Sequence, residues 1–158
     1  MERIREALER ARREREGGSS LLTGYKRSES SVDPGAPITY TQTRTVHVPP
    51  RLLYQNRIIS ALGAGPFTDA FKILRTRVLR EMRANNWNAL AITSPGEHEG
   101  KTLTAINLAI SIAMEVGQTV LLVDADLRHP SVHTYFGLAP DFGLSDYLLG
   151  DEAIEDLL

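Results

Sequence analysis

Apolar positions change their spacing near the middle of the chain. Ala89-Leu-Ala-Ile-Thr93 is a short apolar run of strand type, a polar loop follows, and from Lys101 to Val116 the sequence is apolar almost all round, with Leu103, Ile106, Leu108, Ile110 and Ile112. That pattern predicts a buried helix. Gly117 ends it, and Thr119-Val-Leu-Leu-Val-Asp124 is a second apolar run of the kind that is covered on both faces. Strand, helix and strand within some 36 residues form a βαβ unit, which predicts a parallel sheet with a right-handed crossover.

Upstream, Phe71, Leu74, Val78 and Met82 recur at helical spacing as far as Asn85-Asn86. Thr68 is the expected N-cap of this helix, and Asp69 suits the positive end of its dipole. Arg51 to Ser60 predicts a short helix on Leu52, Leu53, Ile58 and Ile59, and Gly63-Ala-Gly-Pro66 breaks the chain after it. Ile38 to Val48 is rich in β-formers and reads as an edge strand. The rest of 17–50 is dominated by Gly, Ser, Pro and Thr, a composition that cannot bury enough apolar surface to offset its ordering entropy. Ile4, Leu8 and Ala11 form a thin stripe on a charged amphipathic helix. The organisation expected is therefore a charged helix at 1–16, a linker at 17–66 that holds the 38–48 strand and the 51–60 helix, and an α/β domain at 67–158.

Charge and composition narrow the function classes. The chain has no cysteine, which removes disulfide frameworks, thiolate metal sites and thiol nucleophiles. The N-terminus is charged where a signal peptide needs an apolar core, and no run approaches the roughly 18 apolar residues of a membrane span. The expected location is cytoplasmic. A formal net charge of −2 conceals a split: residues 1–86 hold 16 Lys/Arg and 9 Asp/Glu, a balance of +7, while 87–158 hold 2 and 11, a balance of −9. Such asymmetry attracts an anionic surface, a partner or a second copy, or it reflects two solvated faces that differ. Five glutamates interleave with the six arginines of the first helix, and no aromatic platform accompanies them, which argues against nucleic acid. His129 and His133 are four apart but flank Pro130 without a third ligand nearby, so they read as surface histidines. The five tyrosines are scattered and mark no phosphorylation cluster.

The chemistry concentrates in the loop before the buried helix. Ser94-Pro-Gly-Glu-His-Glu-Gly-Lys-Thr102 ends in the Gly-Lys-Thr that opens the helix of a phosphate-binding P-loop, in the strand–loop–helix context that the motif requires. Gly96, Glu99, Gly100, Lys101 and Thr102 are the candidate nucleotide-binding positions. Backbone N–H groups of such a loop cradle phosphates, the lysine reaches the terminal ones, and the threonine hydroxyl suits Mg²⁺. Pro95 stands where the usual pattern has glycine. Gly96 stands where partitioning-type (Min and Par) ATPases carry a signature lysine. At the end of the second apolar run, Asp124-x-Asp126-x-Arg128 lies where open α/β sheets bind ligands.

The Asp124-x-Asp126-x-Arg128 run, together with a P-loop that lacks the signature lysine, resembles the bacterial tyrosine kinases of exopolysaccharide synthesis. Within them it is most similar to the cytoplasmic tyrosine autokinases of exopolysaccharide and exosortase systems. Asp69-Ala-Phe-Lys-Ile-Leu-Arg-Thr-Arg77, Ile106-Asn-Leu-Ala109 and Phe142-Gly-Leu-Ser-Asp-Tyr-Leu148 resemble that group as well. The resemblance implies a P-loop NTPase-like parallel sheet with flanking helices, and ATP with Mg²⁺ as cofactors. Lys101 and Thr102 would hold the β/γ-phosphates and the metal. Asp124 would join Thr102 at the metal or activate a tyrosine hydroxyl, and Asp126 and Arg128 would complete the catalytic cluster. The resemblance also implies a transmembrane polysaccharide-export activator as partner, which would hold the protein peripherally at the inner face of the plasma membrane. The family's Glu-x₂-Arg-x₂-Arg assembly motif falls on Asp69, Lys72 and Arg75, which makes the 69–83 helix a candidate for self-association.

Two departures qualify what is expected. Glu97-His98 replaces a Pro-Gly pair common in related loops, which puts a carboxylate beside the phosphates. After Asp124 neither a second acidic strand motif nor a tyrosine-rich tail occurs in these residues. The sequence therefore predicts a sheet truncated after its second strand, with an exposed edge, poor solubility and no kinase activity of its own. The alternatives are a Min/Par-like ATPase and a catalytically dead module that docks a partner.

Overall fold

The computed structural model describes Glu9, Arg13, residues 45–153 and Leu157. The expected 1–16 helix and 38–48 strand lie largely outside the described residues. Glu9 and Arg13 are helical and form an i,i+4 ion pair at 3.6 Å. Residues 46–123 cluster with 131–138 as one compact unit, and 124–130 cluster with the described residues from 139 onward as another.

In the first unit the expected 51–60 helix is split. Pro50–Gln55 forms helix α1, Asn56-Arg57 interrupts it, and Ile59–Ala61 is a 3₁₀ turn. Arg57 takes a left-handed φ of 56°, and this kink sends Ile58 fully into the core. Helix α2 spans Pro66–Ala84. It starts two residues before the expected cap, with Pro66 in the first turn, where a missing N–H costs nothing. Thr68 instead is buried and donates its hydroxyl to the Ile59 carbonyl at 3.4 Å, tying α2 to the 3₁₀ turn. At the other end Asn86 adopts a φ of 55°, Asn86 N–H donates to Arg83 O (3.3 Å) and Trp87 N–H to Met82 O (2.8 Å). That is a Schellman stop, with asparagine in the left-handed position.

Helix α3 spans Lys101–Ala113 and carries the centre of the unit, with Ile106, Asn107, Leu108 and Ser111 buried. Its end falls short of Val116, which is exposed together with Met114. Asn107 holds the unit together through polar bonds: its Oδ1 accepts Ser60 N–H at 2.9 Å, and its Nδ2 donates to Arg57 O at 3.1 Å and Leu103 O at 3.0 Å. A second tie joins α2 to the C-terminal end of α3. Arg75 donates to Ser111 O at 2.9 Å and pairs with Glu115 at 2.5 Å. Helix α4, Val132–Tyr135, is fixed to α1 because Asn56 Nδ2 donates to Tyr135 O at 2.7 Å. Gly137 ends this segment at a φ of 68°, packed so closely that a Cβ would lie 2.7 Å from Leu52 Cδ2. In the second unit, helix α5 spans Leu144–Leu149 and starts where Gly143 N–H donates to Asp146 Oδ2 at 2.8 Å.

The expected parallel sheet is not seen among the described residues. Residues 88–94 and 118–126 take no strand assignment, and no strand occurs among the described residues. The expectation that 119–124 is covered on both faces is also overturned, since Leu121 is 61% and Val123 51% exposed. The physical reason is that two parallel segments lack a hairpin to join them, and a two-stranded pair is marginal in water without further strands or covering layers. The helical part of the expected fold stands, and its sheet does not.

Candidate functional site

The 94–102 loop is shaped by its own side chains. Ser94 donates its hydroxyl to Gly96 O at 2.9 Å, and Gly96 N–H donates to Glu99 Oε2 at 3.1 Å. The chain turns at Glu97-His98, with His98 at a φ of 58°, a strained setting for a residue with a side chain. Gly100 follows at a φ of 89°, which glycine adopts at little cost, and its carbonyl accepts Thr104 N–H at 2.9 Å as α3 begins. The glycine before the lysine is thus the pivot that turns the loop into the helix. Lys101 is the first residue of α3, at the positive end of the helix dipole.

Thr102 is half-buried, and its Oγ1 accepts the Ser131 hydroxyl at 3.3 Å. Ser131 stands at the start of α4, where its carbonyl accepts Thr134 N–H at 3.0 Å and Thr134 Oγ1–H at 2.6 Å. The expected cofactor-binding positions Gly96, Glu99, Gly100, Lys101 and Thr102 therefore lie together in the first unit. Glu99 behaves otherwise than a bystander in a cradle: its carboxylate occupies a loop amide.

The remaining candidates, Asp124, Asp126 and Arg128, lie in the second unit. Asp124 Oδ1 accepts Asp126 N–H at 3.1 Å, and Asp126 Oδ1 accepts His129 N–H at 3.1 Å. The first is an Asx turn and the second reaches one residue further, so each carboxylate stabilises the backbone just after it. Arg128 is exposed. No group of three or more His, Cys, Asp or Glu that could hold a metal ion occurs among the described residues. His129 is exposed and His133 half-buried.

The expected assembly triplet does not present one face. Lys72 and Asp69 pair with each other at 2.9 Å on the exposed surface. Arg75 is turned inward, with its side chain 16% exposed, and serves the contact between α2 and α3.

Sequence reasoning missed Ser131, which donates to Thr102, and Asn107, which ties α3 to Arg57 and Ser60. Serine at the start of a short helix is a cap signal, but nothing local indicates that its hydroxyl meets Thr102, 29 residues earlier. Asn107 had a clearer signal, as a polar residue within an otherwise apolar stretch that must be satisfied if buried.

Comparison with known proteins shows relatives of one kind. Tyrosine-protein kinase YwqD of Bacillus subtilis (strain 168) is 39% identical over 88 residues, 56% of this chain and 37% of that protein. Tyrosine-protein kinase etk of Escherichia coli (strain K12) is 36% identical over 90 residues, 57% of this chain and 12% of etk. The chain is similar to bacterial tyrosine-protein kinases. Tyrosine-protein kinase ptk of Acinetobacter johnsonii extends the set at 30% identity over 90 residues, again 12% of the relative. The chain thus spans well under half the length of these kinases. No family profile matches the chain, and no solved structure matches it. No helix among the described residues is long and apolar enough to cross a membrane.

Proposed function

We propose that this chain is the nucleotide-binding part of a tyrosine autokinase of exopolysaccharide biosynthesis, and that it takes ATP with Mg²⁺. The observation that carries the reading is the junction at Gly100-Lys101-Thr102, in a chain similar to tyrosine-protein kinases: a left-handed glycine, a lysine on the first turn of α3 and a half-buried hydroxyl next to it. The donor set fits the group at this end. A neutral hydroxyl oxygen is a hard ligand of the kind Mg²⁺ accepts, and Mg²⁺ needs only one or two protein ligands when phosphates supply others. The fit fails at the far end, where Glu99 holds Gly96 N–H and puts a carboxylate beside the phosphate position.

ATP supplies the transferable phosphoryl group. Lys101 would neutralise charge on the terminal phosphates. Thr102 would offer its hydroxyl oxygen to the metal. Asp124 would accept the phenolic proton of a tyrosine or serve as a metal ligand, and Asp126 and Arg128 would shape the charge around Asp124. A transmembrane polysaccharide-export activator is the proposed partner, with the protein peripheral at the inner face of the plasma membrane. Self-association through the 69–83 helix would engage Asp69 and Lys72 rather than Arg75.

A second reading, a catalytically dead module that docks a partner, is favoured by Glu99 on the loop amide. The Min/Par-like ATPase is disfavoured by Gly96 at the signature-lysine position. Incubation with Mg²⁺ and γ-labelled ATP, beside Lys101→Ala, separates the three. Bound nucleotide lost in Lys101→Ala supports the kinase part, and label on tyrosine would show it active unaided. Free phosphate without label on protein favours the ATPase, and absence of binding leaves the docking module.

A further inference from the structure

Glu99 gives the loop an anion of its own. Its Oε2 accepts the Gly96 N–H at 3.1 Å, and the carboxylate packs against that residue's backbone: a Cβ on Gly96 would stand 3.0 Å from Glu99 Oε1 and 3.3 Å from its Cδ. Gly96 takes no left-handed φ, so the backbone conformation does not demand glycine there. What the missing side chain provides is room for the carboxylate. Pro95 has no N–H, which makes Gly96 N–H the first donor that the loop can offer after Ser94.

A backbone amide has a single proton to donate, so a phosphate oxygen that takes the Gly96 amide must first displace Glu99. Residues 95–99 are all exposed, and the side chain can swing into solvent without opening the core around Ile106 and Asn107. A polyphosphate engages Lys101 and the start of α3 as well as the amide, which lets it outcompete one carboxylate. Until it does, only the fraction of molecules with Glu99 swung out is competent, and the apparent affinity is reduced by that fraction. This effect differs from repulsion between charges. Repulsion acts through space and is screened by salt, whereas occupation of the amide is not.

We infer that Glu99 is an autoinhibitory cap: its carboxylate holds the Gly96 amide while the loop is empty and gives it up to a phosphate oxygen of a nucleotide. The inference rests on the nucleotide-binding reading of the loop and deepens it, because the misfit at Gly96 becomes a threshold that the ligand must overcome. It also assigns Gly96 a task of its own, which is to seat the carboxylate.

The test is a double-mutant cycle on the full chain, read as ADP affinity in high salt, where through-space repulsion is screened. The four proteins are the unaltered chain, Gly96→Ala, Glu99→Ala and the two changes combined. Glu99→Ala is expected to bind ADP about threefold to tenfold more tightly, the gain from freeing an amide that is closed about 70–90% of the time. Gly96→Ala crowds the carboxylate off its seat, so its effect on affinity is more favourable with Glu99 present than in the Glu99→Ala background. Additive effects overturn the inference, and so does an unchanged affinity in Glu99→Ala. Weaker binding by Glu99→Ala overturns it as well, since the carboxylate would then be a brace that helps the loop hold phosphate. In each of these cases, ADP binding that is lost in Lys101→Ala leaves the nucleotide reading standing. If none of the four proteins binds ADP, the cap and that reading fall together.

Discussion

Glu99 sets the most consequential local balance. Its carboxylate accepts Gly96 N–H at 3.1 Å, so a fixed negative charge sits in the loop that is proposed to receive phosphates. Two charges about 4 Å apart repel by roughly 4 kcal/mol at an effective dielectric of 20 and by about 1 kcal/mol in bulk water. Because Glu99 is exposed, the lower figure governs. Glu99→Gln keeps a hydrogen-bond acceptor for the amide and removes the charge. ATP affinity is expected to rise several-fold in low salt and less at high ionic strength. A titration at two salt concentrations checks this, and equal affinities for both proteins would contradict it. The loop was legible in sequence as a Gly-Lys-Thr helix start, and Glu97 appeared to be the troublesome carboxylate. Only the turn at His98, which brings Glu99 back toward Gly96, shows which glutamate binds the loop. A turn of that kind is set by backbone dihedrals that no residue pattern specified.

At the level of elements, the first unit depends on polar ties between helices as much as on apolar packing. Among the described residues only Ile58, Ile106 and Leu108 form the buried hydrophobic core, while Asn107, Ser60, Thr68 and Ser111 are buried polar residues. Asn107→Ala leaves the buried Ser60 N–H without its acceptor and removes the bonds to Arg57 and Leu103. Leaving a buried group unsatisfied costs about 1–3 kcal/mol, and urea unfolding should show a loss of at least that size. Retained stability would mean that the kink at Arg57 does not depend on Asn107. Gly137→Ala is expected to destabilise by about 1–3 kcal/mol, since it combines a left-handed backbone with a Cβ 2.7 Å from Leu52 Cδ2. A melting temperature equal to the unaltered chain would contradict that.

The helices were legible where periodicity was long. Helix α2 appeared with its C-terminal stop at the right asparagines, though Thr68 proved to be a buried tie rather than a cap, because Pro66 and Gly65 already open the helix. Helix α3 began where the P-loop motif placed it. The two apolar runs were misread, since apolar content marks a segment that needs covering and does not supply the neighbours that cover it.

For the molecule as a whole, those uncovered runs carry a solution property. Trp87, Leu90, Leu121 and Val123 are 48–61% exposed on segments without strand partners. Extended apolar backbone with unpaired N–H and C=O groups is a template for association. Light scattering should show concentration-dependent self-association near neutral pH. Leu121→Lys with Val123→Lys should reduce it, as charges on unpaired strands do. A monodisperse monomer for the unaltered chain at high concentration would contradict this. The charge split of +7 and −9 between residues 1–86 and 87–158 adds a salt-sensitive part to the same association.

The central claim is that the loop around Lys101 holds the terminal phosphates of a nucleotide, and competition binding tests it most directly. A fluorescent ATP analogue is titrated with the full chain in Mg²⁺, displaced by unlabelled ATP and by AMP, and the measurement is repeated with Lys101→Ala. The account predicts saturable binding displaced by ATP much better than by AMP, and at least a tenfold loss in Lys101→Ala, as expected for removing a charge-assisted contact to phosphate. Binding that is absent, or that is indifferent both to the terminal phosphates and to Lys101, would contradict it.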